Sequence, residues 1–132
     1  MQLKVLSLAA IGAVAVVAPA LAHHSFAMFD AEKTVTLNGT VKEFEWSNPH
    51  SWIRIDVLDQ TGKELQWAIE MNAPAQLTQR GWNPTTIKPG DKITLTMHPL
   101  KDGARGGQFM TATLADGKSL SNGPNNPAGR NN

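Results

Sequence analysis

Alternating apolar residues recur in five short stretches, and a proline-led helical turn sits between the third and the fourth. The first stretch also changes its buried phase midway. These observations predict an all-β protein with one short helix, a five-stranded OB-like barrel with the helix between strands 3 and 4. A strand that changes face can serve both halves of a closing sheet, which favours the barrel over an open sandwich of the same strands.

Each element has its own signal. In the first strand Val35, Leu37 and Val41 share one phase and Phe44 and Trp46 the other, and Gly39 is the residue placed to allow a bulge. The chain then breaks at Ser47-Asn48-Pro49, since proline fixes its own φ, removes a ladder donor and keeps the residue before it extended. Strand two resumes near Ser51, with Ile53, Ile55 and Val57 inward and His50, Trp52, Arg54 and Asp56 outward. Strand three alternates most clearly, with Leu65, Trp67, Ile69 and Met71 inward and Gln66, Ala68 and Glu70 outward. Matching the two inward rows requires a connection of three or five residues, with Gly62 at positive φ.

Asn72 is the candidate cap of a short helix that Pro74 opens and Gly81 stops, with Leu77 and Trp82 as its core contacts. Lys88-Pro89-Gly90-Asp91 turns into strand four, where Ile93, Leu95 and Met97 point inward and Thr94, Thr96 and His98 outward. Strand five is read with Met110, Ala112 and Leu114 inward.

The ends of the chain carry different signals. Residues 1–4 are a short basic start, residues 5–22 carry no charge, and the segment closes on Ala20-Leu21-Ala22. That is the pattern of a secretory signal peptide over 1–22, too short and too interrupted by Pro19 for a stable membrane span, and cleaved to leave no anchor. Residues 23–33 then form an N-terminal arm and 34–118 the barrel. The polar, glycine- and proline-rich residues 119–132 form a disordered tail, so ending the chain after Leu120 should leave stability unchanged.

Losing Lys4 leaves 11 of the 12 basic residues against 11 acidic ones, so the secreted chain is neutral with His uncharged. No basic excess marks a nucleic-acid binder. There is no cysteine, hence no disulfide and no thiolate nucleophile, and the core must hold by packing alone. The address is a bacterial periplasm or the extracellular space.

The segments HHSFAMFD, GTVKEFEWSNPHSWI, RGW and KPGD together resemble a family of small secreted bacterial proteins classed as a domain of unknown function. The resemblance spans about residues 23–120 and implies a periplasmic single domain without implying an activity. More distantly, the layout is similar to periplasmic OB-fold proteins. These include copper chaperones that hold Cu(I) through a His, two Met and a nearby Trp, although their closely spaced Met motif on one strand is absent here.

No Gly-x-Ser-x-Gly elbow is present, no Ser pairs with a His and a carboxylate, and Glu43 and Glu45 share a strand face as a solvated edge would. The chain is therefore not expected to be an enzyme. Cleavage after Ala22 would free the amine of His23, so that amine and imidazole chelate copper or zinc, with His24, His50 or His98 completing the site. The competing expectation is a peptide, glycan or periplasmic protein bound on the outer face of strands two and three, by Trp52, Arg54 and Glu70 with Trp46 at the corner. Against both stands a purely structural role: the Phe26-Ala27-Met28-Phe29 arm covers Trp46 and Trp52 and extends the core. Met71, Met97 and Met110, all in the inward phase, are read as core filler.

Overall fold

The structure, a computed structural model, describes residues 26–123. The expected signal peptide, His23, His24 and the last nine residues of the tail lie outside the described residues.

The chain forms the expected barrel. Five long strands run β1 (Val35–Glu45), β2 (Trp52–Leu58), β3 (Glu64–Glu70), β4 (Lys92–Pro99) and β5 (Gly106–Thr113), with one helix, α1 (Pro74–Thr78), between β3 and β4. The strand order is β3-β2-β1-β4-β5, and a parallel pairing of β3 with β5, Ala68 opposite Gly106, closes the sheet on itself. Five residues connect β2 to β3, with Gly62 at φ 83°. The required parity results: Ile55 faces Trp67 and Ile53 faces Ile69 on the core side.

β1 is the strand that makes closure possible. Its first half, Val35 to Thr40, pairs with β4, and its second half, from Thr40, pairs with β2. The phase change expected at Gly39 falls instead at Lys42, the extra residue of a bulge between Val41 and Glu43. Gly39 has a different task. A Cβ there would overlap the Asp56 carbonyl oxygen and the Ile55 side chain, so glycine lets β1 press onto β2 where it changes partners.

Three further expectations are corrected. In β5 the core residue is Phe109, 1% exposed, because a bulge opposite Thr96 and Met97 shifts the phase by one. Met110 is left half-buried, with the Thr34 hydroxyl against its sulfur at 3.8 Å. The tail does not begin at Ser119: Ser119–Ser121 is a sixth strand, β6, on the edge of β5, and its Leu120 is buried. Asn72 does not cap α1. Gln76 Oε1 instead accepts from the Ala73 N–H at 3.3 Å, while Asn72 turns to the tail.

Two hydrogen bonds tie that tail down: the Asn72 N–H donates to Asn122 Oδ1 at 2.9 Å, and Asn72 Nδ2 donates to the Asn122 carbonyl at 2.8 Å. The core holds Leu37, Val41, Ile53, Ile55, Leu77, Leu95 and Met97, with an aromatic line beside it. Trp46 packs edge-on against Phe44 at 5.7 Å, Phe44 lies 5.9 Å from Trp82, and Trp82 meets Phe109 at 5.5 Å. Trp67, read as fully inward, is only half-buried against this core. Among the described residues no helix is long and apolar enough to cross a membrane.

Candidate functional site

The corner after β1 is built from its own polar groups. The peptide Asn48-Pro49 is cis. The Ser47 hydroxyl reaches the Glu45 carboxylate and the His50 carbonyl, each at 2.9 Å. Wholly buried Ser51 exchanges backbone hydrogen bonds with Met71 and Asn72, pinning the corner to the end of β3. Trp52 therefore leaves the corner in a fixed direction.

From there the outer face of β1, β2 and β3 is set by register. Glu45 lies opposite Trp52, and Trp52 opposite Glu70; one row along, Glu43 lies opposite Arg54, and Arg54 opposite Ala68. Directly opposed residues share a face, so these side chains stand together as parity predicts. The Arg54 guanidinium sits over the Trp52 ring, 5.9 Å from its centroid. Its Nε lies 3.5 Å from Glu43 Oε2 and its Nη2 3.7 Å from Glu45 Oε2. A cation on an indole face between two carboxylates is held without being neutralised by close bidentate contact. The result is a stacking plate with donors on one side and acceptors on the other.

The four predicted partner-surface residues thus separate. Trp52 and Arg54 form the outer plate. Trp46 joins the core edge through Phe44, which is its structural role. Glu70 has the outward parity but is only 6% exposed, because its carboxylate lies 3.0 Å from His50 Nδ1 beneath the arm. The same Nδ1 lies 2.9 Å from the Met71 carbonyl, and since a carbonyl only accepts, Nδ1 carries the hydrogen. Phe26 and Phe29 close over this pair with Gln108 and Asn122, leaving a space of about 10 Å³, the size of one water at most.

The arm itself is a short 3₁₀ turn, Phe26–Met28, fastened by the Lys101 N–H to the Met28 carbonyl at 3.0 Å and the Asp30 N–H to the Pro99 carbonyl at 2.8 Å. Phe29 is its buried anchor, while Phe26 remains 64% exposed. His98 is elsewhere, with Nδ1 donating to the Lys33 carbonyl at 2.7 Å. No group of three or more His, Asp or Glu among the described residues is placed to hold a metal ion.

A second concave feature escaped the sequence reading. Where β1 leaves β2 for β4, an open cleft of about 520 Å³ lies between Asn38, Thr40, Asp56, Leu58, Thr94 and Thr113. The only sequence signal for it was the outward alternation of threonines, which strand propensity alone also produces.

The chain belongs to the Family of unknown function (DUF6152), which it matches over residues 11–109. No curated protein matches it. Among solved structures it is similar to two crystal structures of the mitochondrial single-stranded DNA-binding protein Rim1 of S. cerevisiae. One has 13% identity and a TM-score of 0.46, the other 12% and 0.43; each covers 69% of this chain and 97% of the other.

Proposed function

We propose that this is a secreted, periplasmic binding protein rather than an enzyme, and that its binding surface is the outer face of β1–β3 around Trp52 and Arg54. One observation carries the reading: Arg54 is stacked on Trp52 and flanked by Glu43 and Glu45, on a face that the core does not use. An aromatic plate with fixed donors and acceptors binds partners by stacking and hydrogen bonding. Glu43 and Glu45 both attend the same guanidinium, which makes them its positioning groups and argues against an acid–base pair. With two carboxylates beside one cation, the surface suits a neutral or cationic partner and repels a phosphate backbone.

The test is capture of partners by the full chain and by Arg54→Glu, with and without a chelator. Capture should be lost in Arg54→Glu while the chain stays folded, and it should ignore the chelator. Capture that survives Arg54→Glu would refute the surface. Capture that a chelator abolishes would favour metal.

That second reading, copper or zinc at His23 and His24, has one observation in its favour. Phe26, two residues after His24, lines the same small space as His50. This favours His50 over His98 as the body ligand of an N-terminal chelate. A chain beginning at His23 should then bind Cu(II) much more tightly than one extended before it, and equal affinities would end the proposal.

A further inference from the structure

The outer residues of β2 do not stop at Arg54. Asp56 and Leu58 continue the same face, and both line the 520 Å³ cleft at the far end of the strand. β1 runs alongside in register, Glu45 opposite Trp52, Glu43 opposite Arg54 and Thr40 opposite Asp56. The stacking plate and the cleft are therefore two ends of one track, the seven residues of β2 or about 20 Å long at strand rise.

We infer that this track binds a neutral oligosaccharide, one ring stacked on Trp52 and the chain continuing along β2 into the cleft. The inference rests on the outer-face reading and names its ligand class. Three observations select that class. First, the track carries no cationic patch: Glu43, Glu45, Asp56 and Glu64, which lies opposite Leu58, stand against Lys42, Arg54 and Lys92. Arg54 is held by the two glutamates, Lys42 lies 3.6 Å from Asp56, and Lys92 is bonded to the Thr40 hydroxyl. A polyanion finds nothing to neutralise it there, and a polycation finds an excess of one carboxylate.

Second, the cleft presents neutral hydroxyl and amide groups. Asn38, Thr40, Thr94 and Thr113 line it, with Thr94 Oγ1 donating to Asn38 Oδ1 at 2.7 Å, and the 64%-exposed side chain of Leu58 adds an apolar patch. A sugar ring offers an apolar C–H face to an indole or a leucine and hydroxyls at its edge to groups of this kind. Third, β2 is bonded to β3 along its whole length and to β1 from Trp52 to Asp56, so beside the plate it offers no free edge for an extended peptide to add as a strand. Recognition has to come from side chains on a face, which suits a ligand made of rings.

The test is a titration of the isotope-labelled full chain with tetra-N-acetylchitotetraose and with cellotetraose, followed by amide chemical shifts. One of them should move Trp52, Arg54 and Asp56 together with Thr94 and Thr113. Trp52→Ala should weaken that binding about tenfold. Leu58→Asp, at an exposed position that the fold does not need, should weaken it severalfold. Shifts confined to Trp52 and Arg54 would overturn the track and leave the binding face standing. No shift with either sugar, while partner capture still depends on Arg54, would overturn the ligand class alone.

Discussion

Trp82 and Trp52 stand on opposite sides of the same barrel wall. Trp82 is 1% exposed, wedged between Phe44 and Phe109, and its Nε1 donates to the Ser121 carbonyl at 3.2 Å. Among the described residues Trp52 meets no such line of rings; a guanidinium that two surface carboxylates hold lies 5.9 Å from its centroid. A buried indole with its N–H satisfied contributes packing and little else. An indole stacked on a charged group at the surface spends part of its apolar area where it does not stabilise the core. The inner region accounts for a fold that has no disulfide to hold it, and the outer region carries the proposed binding surface.

The largest effect that would break this comparison comes from the inner region. Trp82→Ala should cost about 3–5 kcal/mol, the usual loss for a large buried aromatic. Trp52→Ala should cost less than about 1 kcal/mol, as surface changes do. Chemical denaturation of both variants decides it, and equal losses would mean that Trp52 is a core residue.

Next in size is the tail. Ending the chain after Leu120 removes the Ser121 carbonyl from the Trp82 N–H and Asn122 from Asn72, leaving buried donors without partners. A loss of about 1–3 kcal/mol should follow. An unchanged melting temperature would return the tail to the inert role that its composition suggests.

Arg54→Glu sharpens the comparison from the outer side. Partly exposed ion pairs contribute about 0–1 kcal/mol, so its stability should remain within that range while capture is lost.

The smallest effect concerns the β2–β3 turn. The Asp59 carboxylate accepts from the Thr61 hydroxyl at 2.6 Å and from the Lys63 and Thr61 N–H groups, which holds its pKa below the ordinary 3.8. A depressed carboxylate stabilises the fold above its unfolded pKa and loses that contribution as pH falls through the lowered one. The melting-temperature gap between the native chain and Asp59→Ala should therefore narrow as pH drops below 3.8, and a constant gap would contradict it.

Sequence parity was sufficient for β2, β3 and β4, because none of the three carries the extra residue of a bulge. It failed where the ladder takes an extra residue. The bulges at Lys42 and Met110 depend on which strand lies opposite, a non-local fact, so the bend was assigned to Gly39 and Phe109 was not recognised as core. The tail was misread because Leu120 is a single apolar residue in a polar stretch, and its burial depends on Gly81 and Trp82 nearby. In the site, parity brought Trp52, Arg54 and Glu70 to one face. It could not show that the arm would bury Glu70 with His50, since that cover comes from Phe26 and Phe29, far from Glu70 in the chain. The cleft was invisible for the same reason: four strands contribute to it and no segment carries its pattern.

The central claim is that partners meet the wall at Trp52 and not the surface at large. It is tested most directly by photocrosslinking in the cells that make the protein, with a benzophenone amino acid in place of Trp52 or of Gln79. Gln79 is exposed at the end of α1, outside the plate and the cleft. Irradiation should produce a discrete adduct from position 52 and none from position 79. No adduct at 52, or the same adduct at both, would contradict the account.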